Sequence, residues 1–183
     1  YIVVSIIFGA FLERTGISNF FIDLANCLCG SSAGGPAKVA VISSALCGMV
    51  SGSSVGNTVT TGSVTIPMMK KCGYRPEFAG AVEAAASTGG QIMPPIMGAA
   101  AFLMAEYMGV PYATVALKAI LPAVLYFAGI YIAVHLEAQK LGLRGIPREE
   151  LPQMRVLMKQ IYLLAPLIVL VVLVSTNTFT MQF

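Results

Sequence analysis

Charged side chains are scarce in this sequence, and their scarcity excludes most soluble folds. Only 10% of the 183 residues are charged and 57% are hydrophobic, whereas soluble globular chains carry about 25% charged residues. A membrane helix needs about 20 apolar residues, so the chain has room for only a handful of crossings. We therefore expect an all-α polytopic membrane protein, and a fragment cut at both ends, because the sequence opens inside an apolar run.

Several functional signatures are also missing. The net charge is only +3, and the basic residues are scattered along the sequence, so nucleic acid is not suggested as a partner. The four cysteines lack paired C-x-x-C spacing, so neither a disulfide framework nor a zinc site is indicated. No G-K-[ST] sequence is present, which disfavours an ATP-driven pump. The only histidine, His135, ends an apolar run far from the serine-rich segment, which disfavours an intramembrane serine hydrolase.

The first part of the chain, residues 1–30, predicts two short membrane elements. Residues 1–12 are apolar and are expected to be the end of a spanning helix. From Ile17 to Leu28, apolar residues recur at helical spacing and polar residues take the opposite face. This pattern predicts an amphipathic helix that lies along the membrane interface.

An uncharged run of 31 residues, Val39 to Met69, determines the predicted architecture. One straight helix of this length would measure about 46 Å, longer than the hydrocarbon core of about 30 Å. Its middle, SGSSVGNTVTTGS, concentrates glycine and hydroxyl residues that favour local hydrogen bonds over helix. We therefore predict a re-entrant helical hairpin over about 36–70, with its tip near Ser51 to Asn57.

The next segment predicts a discontinuous helix over about 77–107, interrupted by STGGQIMPP at Ser87 to Pro95. Hairpin and broken helix together form the predicted transport-domain half, 31–110. The remainder, 111–183, predicts two transmembrane helices joined by a cytoplasmic loop, 136–159. With the hairpin re-entrant, ten of the eleven Lys and Arg residues fall on one side, which should be cytoplasmic.

Interrupted helices suggest where ligands bind, because helix carboxyl ends attract cations and helix amino ends attract anions. Discontinuous helices that meet at mid-membrane form such sites in transporters. The serine hydroxyls and the Asn57 amide supply hard oxygen ligands for a small cation. The expected cation ligands are Ser51, Gly52, Ser53, Asn57, Thr88, Gly89 and Gly90. The expected substrate-binding residues are Ser53, Ser54, Asn57, Pro94 and Pro95.

The stretches FGAFLERTG, the run from GGPAKVAV to MGVPY, and LEAQKLGLRGIPREELP resemble the large membrane subunit of tripartite ATP-independent periplasmic (TRAP) transporters. The similarity is strongest to the form in which the small and large membrane subunits are fused. It implies an inverted-repeat, elevator-type carrier in a bacterial or archaeal inner membrane, driven by sodium and needing no cofactor. The implied substrates are organic acids such as dicarboxylates, delivered by a periplasmic binding protein.

By the same resemblance, SGSSVGN corresponds to the tip of the first hairpin and STGGQIMPP to the unwound part of the following helix. Together they would form one sodium site and half of the substrate site. The second repeat, with its own hairpin, would supply the other half. The remaining half of the permease, the small membrane subunit and membrane lipid are thus implied partners.

Other interpretations stay open at this point. Another ion-coupled anion carrier could share the hairpin architecture, and a cation channel also uses broken helices and backbone carbonyls. The series Gly48, Gly52, Gly56 is typical of close helix packing as well as of a ligand site. Glu83 lies one or two helical turns past Glu77, so we expect a structural carboxylate that snorkels or pairs locally rather than one coupled to a proton or cation.

Overall fold

The computed structural model describes residues 7, 11, 14–147, 151–152 and 154–169. The expected end of a spanning helix at residues 1–12 therefore lies almost wholly outside the described residues. Within them every regular element is helical, which confirms the all-α prediction. The elements are α1 (Ile17–Cys29), α2 (Gly35–Ser51), α3 (Ser54–Lys71), α4 (Pro76–Gly89), a 3-10 turn (Gly90–Ile92), α5 (Ala99–Met108), α6 (Tyr112–Lys140), α7 (Met154–Lys159) and a second 3-10 turn (Ile161–Leu164).

Helices α2 and α3 form an antiparallel hairpin with a very tight turn. Gly52 ends α2 in the left-handed conformation, with φ 59°, and donates its N–H to the Gly48 carbonyl. Ser53 follows in an extended conformation and caps α3 through its hydroxyl, which accepts from the Gly56 N–H. The second arm thus begins at Ser54, three residues before the predicted start near Asn57. At 17 and 18 residues, each arm is about 26 Å long.

The broken helix is interrupted later than the prediction placed it. Helix α4 runs to Gly89, and α5 begins only at Ala99, with Gly98 as its N-cap. The predicted interruption ends at Pro95, and this boundary is wrong: Pro94 and Pro95 lie in a turn, and the second half-helix starts four residues after Pro95. The Tyr112 hydroxyl donates to the carbonyls of Pro95 and Ile96, at 2.8 and 2.6 Å, and so holds this turn non-helical.

Helix α6 is the one described helix that is long and apolar enough to cross a membrane. Its 29 residues measure about 44 Å, and it continues to Lys140, so residues 136–140, expected in the cytoplasmic loop, are helical. The expected last span, from Gln160 to Ser175, falls mostly outside the described residues. What is described of it is the second 3-10 turn and a helical stretch at 165–169.

Small side chains allow α2, α3, α4 and α6 to pack around one core. Its buried members include alanines on three of these helices, and such residues permit close approach of backbones. Helix α1 packs its apolar face on α2 through Ile17, Phe20 and Phe21, while Leu28 is exposed. The apolar residues at the start of α1 therefore pack against the rest of the protein.

Candidate functional site

The tip of the α2–α3 hairpin lies directly against the interruption between α4 and α5. A methyl group on Gly48 would come within 2.3 Å of the Gly90 Cα, and one on Gly52 within 2.1 Å of the Met97 carbonyl oxygen. Both distances are far below a van der Waals contact, so only glycine fits at these positions. Backbone groups of the hairpin turn and of segment 90–98 are thereby brought together.

Helix ends of both polarities meet at this junction. The carboxyl end of α2 is at Ser51, and that of α4 is at Gly89, where the Gly90 N–H donates to the Ser87 and Thr88 carbonyls and the Met93 N–H donates to the Gly90 carbonyl. Each of these carbonyl oxygens keeps a second lone pair. The amino end of α3 starts beside them, at Ser54. Partial negative charge from two helices and partial positive charge from a third are therefore available within one small region.

Asn57 supplies a buried side-chain oxygen at the same place. Its side chain is fully buried, and its amide nitrogen donates to the Ser44 carbonyl at 2.8 Å. A Cβ on Gly90 would lie 3.1 Å from that nitrogen, so Asn57 is held between the hairpin and the break. Among the described residues its Oδ1 has no hydrogen-bond partner. Because a buried acceptor without a partner is costly, this oxygen is suited to a cation.

The predicted serines lie at the junction, but local bonds occupy their hydroxyls. Ser51 Oγ accepts weakly from the Ser53 N–H, at 3.5 Å, and Ser53 Oγ accepts from the Gly56 N–H at 3.2 Å. Ser54 Oγ accepts from Gln91 Nε2 at 2.7 Å, a bond that ties α3 to the 3-10 turn. These hydroxyls keep lone pairs for a ligand but also stabilise the turn.

Two predicted ligand residues are turned away from Asn57. The Thr88 side chain is exposed, and its hydroxyl donates to the Ala84 carbonyl of its own helix at 2.7 Å. Gly89 faces α6, since a Cβ there would come within 2.6 Å of the Tyr126 ring. A cation could therefore be reached only by the backbone carbonyls of these two residues, and that of Thr88 already accepts from the Gly90 N–H.

A second polar cluster, centred on Glu83, was missed by the sequence interpretation. Glu83 is fully buried, so snorkelling, the first of the two expected structural roles, is wrong, while the second, local pairing, is made through hydroxyl groups. Four hydroxyl groups surround its carboxyl, those of Ser44, Thr61, Thr65 and Ser87. The spacing of Thr61 to Thr65 and of Glu83 to Ser87 places each pair on one helix face and could have indicated the cluster.

The base of the hairpin holds a cavity of about 640 Å³, far along the arms from Asn57. Asp23 and Asn26 of α1, Lys71 at the end of α3 and the segment 145–147 contribute to its lining. Nearby, the Tyr74 hydroxyl contacts the Gly34 carbonyl at 3.5 Å. Burial, with smaller contributions from Cys72 and Glu137, raises the pKa of Tyr74 to about 12, so this phenol stays neutral at physiological pH.

Comparison with known proteins gives a single family. The family model described as "Tripartite ATP-independent periplasmic transporter, DctM component" matches residues 1–182. Similar proteins include the C4-dicarboxylate TRAP transporter large permease protein DctM of Pseudomonas aeruginosa, 29% identical over 78% of this chain and 33% of the relative. A putative TRAP transporter large permease protein of Haemophilus influenzae is 30% identical over 75% of this chain and 32% of the relative.

A third similar protein carries a different substrate in its name. The isethionate TRAP transporter permease protein DctMQ of Oleidesulfovibrio alaskensis is 33% identical over 48% of this chain and 14% of its own length. The chain thus spans at most about a third of the length of these relatives.

Proposed function

Since the chain belongs to the DctM family of tripartite ATP-independent periplasmic transporters, we propose that it forms part of the permease of a sodium-driven secondary transporter for organic acids. The family consists of transporter permeases and not of enzymes. Within the permease, the hairpin α2–α3 and the interruption between α4 and α5 are proposed to build one sodium site and half of the substrate site.

The observation that carries the proposal is the buried Oδ1 of Asn57, which has no hydrogen-bond partner among the described residues. It lies near the carboxyl ends of α2 and α4, at the hairpin turn. A sodium ion bound here would take Asn57 Oδ1 together with backbone carbonyls from Ser51 to Ser53 and from Thr88 to Gly90. Such a site suits a hard, singly charged cation, because every ligand atom is an uncharged oxygen.

An anionic substrate would use the opposite helix ends. The first amides of α3, at Ser54, and of α5, at Ala99, carry partial positive charge. Ser53, Ser54 and Asn57 lie at the first of these ends, and the turn with Pro94 and Pro95 leads to the second. Relatives named for C4-dicarboxylates and for isethionate both handle small organic anions, so we propose a carboxylate or sulfonate group as the bound moiety.

The complete transporter requires parts that lie outside this chain. We propose that the rest of the permease supplies an inverted second hairpin and the other half of the site. The hairpin would be re-entrant from the cytoplasm and would move as part of an elevator-type domain in the bacterial or archaeal inner membrane. A small membrane subunit and a periplasmic binding protein complete the proposed assembly, and the apolar surface of α6 faces lipid or the remaining permease.

The test is a sodium-specific stabilisation measured on the full-length permease. Thermal unfolding in detergent is compared in sodium and in potassium chloride, for the wild type and for Asn57→Leu. A ligand present at a hundred times its Kd stabilises the folded state by about 2.7 kcal/mol. We expect the wild type to show a sodium-specific shift and Asn57→Leu to lose it, together with sodium-dependent uptake in proteoliposomes that contain the binding protein.

Asn19→Leu is the matched control, because Asn19 is an exposed asparagine on α1. It should keep both the sodium shift and the uptake. A folded Asn57→Leu protein with an unchanged sodium shift would remove Asn57 from the proposed site. A wild-type protein with neither a sodium shift nor sodium-dependent uptake would refute sodium coupling altogether.

A further inference from the structure

Glu83 is a buried carboxyl group to which the proposed sodium and substrate sites assign no role. It lies on α4 and is fully buried by this chain alone, without the remainder of the permease. Helices α2 and α3 contribute the side chains that cover it, together with Ser87 one turn further along α4. Ionisable groups buried inside membrane proteins are rare and often mark ion or proton pathways, so this carboxyl group is a candidate functional site.

Its carboxyl oxygens contact four hydroxyl groups. Ser44 Oγ lies 3.0 Å and Ser87 Oγ 2.9 Å from Oε1, which Thr61 Oγ1 also contacts. Thr65 Oγ1 lies 2.5 Å from Oε2. These groups are neutral, and each can either donate or accept a hydrogen bond.

No positively charged side chain lies within ion-pair distance of Glu83 in the described part of the chain, where the one ion pair joins Lys140 to Glu137. On α2, Lys38 donates to Ser32 Oγ and lies over the Tyr131 ring, and Cys47 packs towards α1. Other titratable groups on the elements around Glu83 are Lys70 and Lys71 at the end of α3 and Glu77 in the first turn of α4. Those on α6 are Tyr112, Lys118, Tyr126, Tyr131, His135, Glu137 and Lys140.

The four hydroxyls can all donate to an ionised Glu83 only if Thr61 and Thr65 give up their hydrogen bonds to the backbone. Thr61 Oγ1 also lies 2.8 Å from the Asn57 carbonyl, and Thr65 Oγ1 lies 3.0 Å from the Thr61 carbonyl. Each of these hydroxyls therefore faces two acceptors with one proton. If Thr61 donates to Oε1 and Thr65 keeps the bond to the backbone that is usual in helices, an additional proton is needed between Thr65 and Oε2.

A protonated Glu83 provides that proton. Its Oε2–H would donate to Thr65 Oγ1, while Oε1 accepts from Thr61, Ser44 and Ser87. Every contact of Thr65 is then satisfied and no net charge is buried, which avoids the large cost of an unpaired ion. After loss of the proton, Thr61 and Thr65 can rotate their hydroxyls towards the carboxylate without movement of the helices.

We propose that Glu83 is a proton-binding site of the permease, with a hydroxyl shell that accommodates both its neutral and its ionised form. The neutral form belongs to the conformation described here, in which α2, α3 and α4 are packed together. Separation of these helices admits water, which takes the proton from Oε2. A metal ion is not the occupant in this conformation, because the oxygens contact one another at hydrogen-bond distances with no space between them.

Infrared spectroscopy of the full-length permease tests the proton directly. At neutral pH the wild-type minus Glu83→Gln difference spectrum should contain the carbonyl band of one protonated carboxylic acid. Glu77→Gln, an exposed glutamate on the same helix, is the control and should leave this band in place. Absence of the band from the wild type would overturn the proposal.

Ser87→Ala provides a second measurement that does not depend on the folding of Glu83→Gln. Ser87 donates one hydrogen bond to Oε1, so its removal should shift the same carbonyl band, whereas Ser63→Ala, at an exposed position on α3, should not. An unshifted band would show that the protonated acid is elsewhere and would overturn the assignment to Glu83.

Proton exchange during transport is tested by the pH dependence of uptake in proteoliposomes. If one proton binds with the substrate, the half-saturating substrate concentration changes by up to about tenfold per pH unit. We expect this dependence in the wild type and a flat profile in Glu83→Gln. If uptake by Glu83→Gln depends on pH as the wild type does, proton exchange at Glu83 during transport is refuted. Failure of sodium coupling would instead appear as sodium-independent uptake in every variant, and the infrared band would be unaffected.

Discussion

Replacing Gly48 with alanine should separate the hairpin tip from the interrupted helix. The added methyl would lie 2.3 Å from the Gly90 Cα, whereas carbon atoms in contact are about 3.5–4.0 Å apart. The two backbones must therefore move apart by more than about 1 Å, since no flexible side chain is present to yield. Overpacking in a tight core costs about 1–3 kcal/mol, and a backbone-to-backbone clash belongs at the upper end.

Part of this cost is offset by helix propensity. Alanine is better than glycine in a helix interior by about 1 kcal/mol, so we expect Gly48→Ala to destabilise the full-length permease by about 2 kcal/mol. Gly80→Ala is the matched control, because Gly80 is also inside a helix and a Cβ there meets no described atom within 4 Å. It should be neutral or up to about 1 kcal/mol stabilising.

The assay is thermal unfolding of the two purified variants beside the wild type, followed by uptake in proteoliposomes. Gly48→Ala should unfold at the lowest temperature and should also lose its sodium-specific stabilisation, because Asn57 lies at the same junction, where a Cβ on Gly90 would be 3.1 Å from its amide nitrogen. If Gly48→Ala unfolds at or above the temperature of Gly80→Ala, the tip does not pack on the break as described here.

Two further predictions concern the hairpin. Ser53→Ala removes the side-chain cap of α3 and should lower the free energy of unfolding by about 1 kcal/mol. Ser63→Ala, on the exposed face of α3, is the control and should have little effect. Thermal unfolding of both variants measures the difference, and equal effects would refute the capping role. In a protein without its native cysteines, Ala33→Cys and Arg75→Cys, at opposite ends of the hairpin sequence, should be labelled by an impermeant maleimide only from the cytoplasmic side. Tyr107→Cys, which is 87% exposed at the end of α5, should be labelled from outside. Labelling of Ala33→Cys and Arg75→Cys from opposite sides would show that the uncharged run crosses the membrane completely.

Helix boundaries set by local chemistry were predictable from the sequence. The described hairpin, Gly35–Ser51 and Ser54–Lys71, covers the predicted range because glycine and a capping serine end one helix and begin the next whatever surrounds them. The start of α5 was not predictable in this way. It depends on a tertiary contact, the bonds from Tyr112 to the carbonyls of Pro95 and Ile96, which lie 16 to 17 residues away in sequence.

The burial of Glu83 could not be predicted from the sequence, for a related reason. Its depth along α4 suggested a group that could reach water, but burial is decided by which helices pack around it. Helix periodicity places Thr61 and Thr65 on one face of α3, yet nothing local indicates that this face meets α4. The candidate ligand residues show the same limit, since Asn57 faces the junction while the Thr88 side chain is exposed on its own helix.

The glycine series illustrates why packing and ligand binding are not alternatives here. Gly48 and Gly52 allow the backbone contact with Gly90 and Met97, and that contact is what brings the helix ends and Asn57 together. Ser44 then joins this junction to the second cluster, because its carbonyl accepts from Asn57 and its hydroxyl contacts Glu83. A movement of the hairpin that alters the surroundings of Asn57 must therefore also alter those of Glu83. Residues that share a partner in this way are coupled in energy, so a cation at one and a proton at the other would not bind independently.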